Sequence, residues 1–244
     1  MAARTVLITG GTRGIGRACA RDLAAAGCDL VLGYASDEDA AAETASRVRD
    51  LGARCLTVRS DLTDDAGIDR LFDEAIAWAG SLDGVVNNAG ATMHIAPLAE
   101  TPVETIRRVI DLNLTSAILV ARRAVRDLRA GGVLVNISSR AARTGSPGEY
   151  VHYAAAKAGV DALTTGLARE VAPRGIRVVG VAPGVIETDI HADAGDPERP
   201  RRAAKSHPSG RIGQPEEVAA AVAFALSEGA SYVSGTTILV AGGA

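Results

Sequence analysis

A chain of 244 residues, 47% of them hydrophobic, carries enough apolar material for one sizeable α/β core rather than two small domains. Its formal charge of -3 and lack of basic runs exclude the electrostatic footprint of a general nucleic-acid binder and leave small molecules as partners. After Met1-Ala2-Ala3-Arg4 the chain enters a four-residue apolar run, too short for a signal peptide or a membrane span, so a soluble cytoplasmic protein is expected.

Strand-length apolar runs fall at 5–8, 29–33, 54–58, 83–87, 132–138, 176–182 and 237–240. Segments of helical period lie between them, near 15–26, 38–51, 65–79, 103–129, 152–171 and 215–227. The alternation is that of βαβ units, and the strands are nearly continuous Val, Ile and Leu, as a parallel sheet covered on both faces requires. The expected fold is therefore α/β, a doubly wound parallel sheet in a single domain spanning 1–244. Residues 193–210 are poor in apolar side chains and rich in Pro, Arg, Ala and Ser; they read as a mobile lid, with the substrate loop at about 188–210. Cys19, Cys28 and Cys55 form no CxxC pair and the four histidines are dispersed. Buried free thiols in a reducing compartment, packing or surface histidines and no metal site are expected.

The first strand runs into Thr9-Gly10-Gly11-Thr12-Arg13-Gly14-Ile15-Gly16 and then a helix. Glycines there allow a tight turn and close approach of backbone to a pyrophosphate, while the helix start offers unpaired N–H groups. The second strand continues into Gly33-Tyr34-Ala35-Ser36 without a carboxylate for a ribose. Arg13 and Ser36, beside Tyr34, are placed to meet a 2′-phosphate, which favours NADP(H) over NAD(H); the competing reading leaves Arg13 solvated and puts Asp37 on the ribose. Asp61-Leu62 and Asn87-Asn88-Ala89-Gly90 follow strands three and four, where ligands collect in open sheets, and read as adenine contacts or as turn residues.

Strand five ends in Asn136-Ile137-Ser138-Ser139, and the next helix carries Tyr153 and Lys157. A spacing of four places both side chains on one helical face. A phenol of ordinary pKa ~10 needs a neighbouring cation to act as a base near neutrality. A serine hydroxyl at the strand end would polarise a carbonyl awaiting hydride.

Taken together, Thr9-Gly10 with Gly14 and Gly16, Asn87-Asn88-Ala89-Gly90, Asn113, Ser139, Tyr153 with Lys157, and Pro183-Gly184 resemble the short-chain dehydrogenase/reductase family along essentially all 244 residues. The resemblance implies a Rossmann-type fold, with Tyr153 as acid/base, Ser139 orienting the substrate, Lys157 as both cation and ribose ligand, and Asn113 holding a relay water. It also implies that Val185, Ile186 and Thr188, after Pro183-Gly184, contact the nicotinamide half. Among its members the chain looks most like reductases of 3-oxoacyl thioesters and sugar or alcohol dehydrogenases, with a homotetramer as the default assembly and a dimer second. Ser139 stands fourteen residues before Tyr153, where the family more often has thirteen. The loop 140–150 absorbs the extra residue, and Ser138 is the competing candidate.

Arg129 and Arg174 are candidates for docking an acyl carrier protein, or simply solvated. Ala219, Ala220, Ala223 and Ala225 fit a subunit boundary or the chain's own core equally well. A non-catalytic dinucleotide sensor is the alternative class; the full Asn113, Ser139, Tyr153 and Lys157 set argues against it.

Overall fold

The computed structural model describes residues 4–244. In chain order the strands are β1 Thr5–Thr9, β2 Asp29–Tyr34, β3 Cys55–Arg59, β4 Leu82–Asn87, β5 Leu128–Ile137, β6 Arg177–Pro183 and β7 Thr237–Val240. The helices are α1 Gly14–Ala25, α2 Glu38–Asp50, α3 Asp65–Ala79, α4 Val103–Ile110, α5 Ser116–Asp127, α6 Ala141–Thr144, α7 Val151–Val171, α8 Ile190–Asp193, α9 Arg199–Ser206 and α10 Pro215–Leu226. All strands pair in parallel in the order β3-β2-β1-β4-β5-β6-β7, the doubly wound Rossmann-type sheet.

Alternation along each strand divides the core in two. Val6 and Ile8, Leu30 and Leu32, and Val133 and Val135 join the cluster under α1, α2 and α10. Their neighbours Leu7, Val31 and Leu134 face the opposite cluster under α3, α5 and α7. Because both faces are apolar, either face left uncovered would expose a continuous hydrophobic surface, and this fixes the helices on both sides. Strand order reverses between β1 and β4, and the carboxyl ends of these two strands open a crevice.

Helix starts show which ends are free. The Asp37 carboxylate accepts from the Ala40 N–H at 2.9 Å and caps α2, and Asp64 caps α3. Gln214 and Glu217 form a reciprocal capping box on α10. By contrast, α1 begins after an extended Arg13 that supplies no side-chain cap.

Two regions depart from the sequence expectation. The single helix expected over 103–129 is interrupted by a π-turn at Asp111–Thr115 and ends at Asp127. The strand expected from 132 begins instead at Leu128, paired with Leu82 across an irregularity before Gly84 meets Val133. Gly131, at φ 78°, lies within that irregularity, where its missing Cβ removes the usual penalty. The lid expected as loop contains the short helices α8 and α9. Cys19, Cys28 and Cys55 are free and buried. Ala219 and Ala225 lie in the chain's own core. Among the described residues, no helix is long and apolar enough to cross a membrane.

Candidate active site

A cleft of about 440 Å³ runs along the carboxyl ends of the strands. One end is formed by the turn between β1 and α1, with Gly10, Thr12, Arg13, Gly14 and Ile15, and by Tyr34 and Ser36 beyond β2. Its middle is lined by Asn88, Ala89 and Gly90, and its far end by Ser139, Tyr153, Lys157, Pro183, Gly184, Ile186 and Thr188. The turn is held from β4: Thr9 Oγ1 accepts the N–H groups of Asn88 and Ala89 at 2.9 and 3.0 Å. In return the Asn88 amide donates to the carbonyls of Thr9 and Gly10 at 2.9 and 3.1 Å.

Gly16 stands behind the turn rather than in the cleft. A Cβ there would fall 2.0 Å from the Gly10 carbonyl oxygen, so its role is to let α1 approach the turn. Uncapped N–H groups at the start of α1, a turn packed too closely for side chains, and an elongated cleft fit a dinucleotide whose pyrophosphate faces that helix end.

Asp61 and Leu62 are not brought into this cleft. Asp61 lines an adjoining depression with Ser36, Arg59 and Arg70, and its carboxylate accepts from the Thr63 N–H and hydroxyl at 2.9 and 2.8 Å. The Leu62 side chain is in the core against α3, which leaves only its main chain for a ligand. Asp37 reaches the cleft rim, yet its carboxylate is engaged in capping α2. Arg13 pairs with Asp193 of α8 at 3.6 Å, both about half exposed.

At the chemical end the two serines diverge, as successive residues leaving a strand must. Ser138 turns into the protein and donates to the Lys157 carbonyl at 3.3 Å. Ser139 lines the cleft together with Tyr153, and its hydroxyl accepts from the Ala141 N–H at 3.1 Å. Between Ser139 and Tyr153 lie α6 and the turns after it, where Gly145 and Ser146 have φ 73° and 43°.

Burial pushes the Tyr153 phenol above its ordinary value, with Tyr150 adding to the rise and the nearby Ser139 hydroxyl opposing it. Burial also pulls the Lys157 ammonium down to about 8, with Asp161 opposing. Lys157 Nζ donates to the Ile137 carbonyl at 2.9 Å and lies 5.7 Å from the centre of the Tyr153 ring. Asn113 sits behind Gly90 in the π-turn, its amide donating to the carbonyls of Ala91 and Val109 at 2.8 and 2.9 Å. Its Oδ1 is buried without a partner. A Cβ on Gly90 would lie 2.5 Å from that oxygen and 3.4 Å from Lys157 Nζ, so a glycine there keeps Asn113 and Lys157 at close quarters.

A family model described as Enoyl-(Acyl carrier protein) reductase matches residues 10–244. The chain is a short-chain dehydrogenase/reductase. It is 41% identical over 244 residues to the 3beta-hydroxysteroid dehydrogenase 1 of Eggerthella lenta, covering 98% of this chain and 93% of that one. It is 39% identical over 239 residues to the 3-oxoacyl-(acyl-carrier-protein) reductase FabG of Aquifex aeolicus, covering 97% and 95%. A short chain dehydrogenase from Burkholderia cenocepacia, solved in complex with NADP, superposes with a TM-score of 0.92 at 32% identity, covering 98% of this chain and 97% of that one. This short-chain dehydrogenase/reductase is thus an oxidoreductase.

Several residues of the site have no local signature in the sequence. Tyr150, His191 and Arg199 line the cleft and form one buried cluster, joined at its half-buried edge by Glu149. Arg199 Nε and Nη2 donate to the two Glu149 carboxylate oxygens at 3.1 and 2.8 Å, and Nη2 also donates to the Tyr150 hydroxyl. Nη1 lies 3.4 Å from His191 Nδ1, and His191 Nε2 lies 3.1 Å from the Ile186 carbonyl. A carbonyl only accepts, so the Nε2 proton is the one present and Nδ1 receives from Arg199. Burial and the adjacent guanidinium both hold the His191 pKa below its ordinary value, in keeping with that neutral tautomer. Both ring nitrogens of His152, in the helix turn that carries Tyr153, are buried without partners.

The arginines considered for carrier docking are engaged within the chain. Arg129 pairs with Asp83, and Arg174 donates to the carbonyls of Val125 and Leu128. Leu128 opens β5 at the sheet edge opposite the cleft.

Proposed function

We propose that this enzyme reduces a small ketone or a 3-oxoacyl thioester to the alcohol with NADP(H), using Tyr153 as proton donor. The observation that carries the reading is the buried Tyr153 phenol, with Lys157 Nζ 5.7 Å from its ring centre, in the cleft that starts at the Gly10–Gly14 turn and is lined by Ser139. A bound nicotinamide supplies the hydride. A phenol whose pKa is raised by burial keeps its proton at neutral pH, which suits delivery to a carbonyl oxygen gaining charge. Ser139 Oγ orients that oxygen. Lys157 holds a positive charge beside the phenol below about pH 8 and is placed to bind a ribose. The unpartnered Asn113 Oδ1 supports a relay water that returns a proton toward Lys157.

NADP(H) rests on Arg13 and Ser36 at the cleft rim, on the missing carboxylate at the end of β2 and on the capping engagement of Asp37; the neighbour solved with NADP supports it. The similarity to a hydroxysteroid dehydrogenase favours a second reading, oxidation of a cyclic secondary alcohol at the same site. The proposal includes a homotetramer, supported by Phe224 on α10 and Leu239 on β7, apolar yet 45% and 41% exposed. Three unpaired cysteines support residence in the reducing cytoplasm.

Following NADPH absorbance over a panel of acetoacetyl-CoA, cyclic ketones and acyclic ketones, with NADP-linked alcohol oxidation in parallel, tests the reading. Turnover of a carbonyl is expected, with Tyr153→Phe losing roughly 10²–10⁴-fold in kcat while still binding NADPH. Binding without turnover of any carbonyl or alcohol, unchanged by Tyr153→Phe, refutes it in favour of a dinucleotide sensor. A preference for NADH refutes the cofactor assignment.

A further inference from the structure

We infer that Arg199 is a positioning residue: its guanidinium fastens the lid formed by α8 and α9 to the loop ahead of α7, and through Tyr150 holds the wall against which Tyr153 rests. The inference rests on Tyr153 being the acid/base.

Arg199 opens α9, a helix whose other arginines, Arg201 and Arg202, are exposed. It alone among them is buried, at 8% residue exposure, and its fork faces three residues at once, two in the loop ahead of α7 and one in α8. Glu149, fifty residues earlier, takes two N–H groups in a parallel pair, the geometry in which a guanidinium discriminates direction as well as charge. The Tyr150 hydroxyl takes a third, while the Arg199 carbon lies 5.0 Å from the Tyr150 ring centre. Tyr150 in turn meets Tyr153 edge to face, ring centres 5.4 Å apart and planes at 85°. On the other side, His191 carries the contact to the Ile186 carbonyl, on the segment that follows Pro183-Gly184.

A single side chain therefore joins the lid, the segment after β6 and the acid/base helix. A surface ion pair would contribute little here. A bidentate pair on a buried guanidinium, with the Glu149 side chain 38% exposed, has two discrete states, made or broken, and so couples lid closure to the placement of the phenol.

Hydrogen exchange on the NADPH complex and steady-state kinetics on the best carbonyl of the panel test this together. Arg199→Met and Glu149→Gln are each expected to speed amide exchange in 190–206 by about tenfold or more, with exchange in the sheet unchanged. Each should lower kcat by roughly ten- to a hundredfold and enlarge the primary isotope effect with NADPH deuterated at the transferred position. The NADPH Kd read by fluorescence should stay within about twofold, because no Arg199 contact lies at the Gly turn. The double variant should be no worse than either single one. Arg199→Lys, which keeps a charge but not the fork, should recover lid protection without recovering kcat, and Tyr150→Phe should lower kcat with the lid still protected.

Unchanged exchange in 190–206 overturns the inference. So does a raised KM with kcat and the isotope effect intact, which would make the cluster a wall of the binding site only. Full recovery in Arg199→Lys overturns the part routed through Tyr150. Wild-type failure to turn over any substrate would sink the functional reading, whereas the exchange measurement would still judge the clamp.

Discussion

Replacing Lys157 by methionine separates the cost of a buried charge from its use. In the folded chain the ammonium is pulled from 10.5 down to about 8, chiefly by burial. Each tenfold change in proton affinity is worth about 1.4 kcal/mol, so keeping Lys157 charged in the fold costs on the order of 3 kcal/mol at neutral pH. Methionine removes that cost but also leaves the Ile137 carbonyl without its 2.9 Å donor, a loss of roughly 1–3 kcal/mol. K157M is therefore expected to lie between neutral and about 2 kcal/mol more stable than wild type near pH 7.

The pH dependence is sharper. Between about 8 and 10.5 the folded wild type has given up a proton that the unfolded chain still holds, so wild-type stability climbs through that window. K157M lacks this climb, and its advantage should shrink by about 3 kcal/mol and reverse sign. For a chain of this size that is a swing of about 6–12 °C in the difference between the two melting temperatures. Thermal melts of both proteins at intervals from about pH 7 to about pH 10.5 measure it directly. A difference in Tm that stays flat across this range refutes a buried lysine held against its own desolvation.

Gly16→Ala should fold poorly or lose NADPH binding, since its methyl would lie 2.0 Å from the Gly10 oxygen; a melt and a fluorescence titration check it. Arg123, largely buried, binds Asp69 at 2.6 Å, Asp73 at 2.8 Å and Asp127 at 2.9 Å. Arg123→Met should cost about 1–3 kcal/mol, the lower end reflecting the exposure of Asp69 and Asp73, read as a shift in urea midpoint. Burial drives the Cys19 thiol up to about 12 and the Cys55 thiol up to about 11. A disulfide reagent at neutral pH should thus leave both unmodified until the chain is unfolded.

The sheet was legible because each strand is a run such as Leu30-Val31-Leu32, which only a core covered on both faces accommodates. The Gly turn and the Tyr153–Lys157 pair were legible because their spacing is itself the geometry. The Arg199–Glu149 pair was not, because it joins residues fifty apart in two segments whose composition resembles ordinary loop. Asn113 was identified only by resemblance: the π-turn that aims it arises where α4 meets α7, and nothing in Asp111-Leu112-Asn113-Leu114-Thr115 marks a wider turn. The side chain of Leu62 goes to the core under α3, a placement its position after β3 does not reveal, because an apolar residue there suits a ligand or the core equally.

Asn87 on β4 donates to Asn136 on β5 at 3.1 Å, and Asn136 donates to Thr164 on α7 at 3.0 Å, a polar rung through apolar packing. Thr164 stands two helical turns beyond Lys157, on the same side of α7. The rung acts as a key in a shaft. Apolar contacts alone would let α7 settle in neighbouring rotations of similar energy, but turning it by one residue would take from the buried Asn136 amide its acceptor on Thr164. The angular setting of Tyr153 and Lys157 is thereby fixed from two strands away, before any ligand arrives.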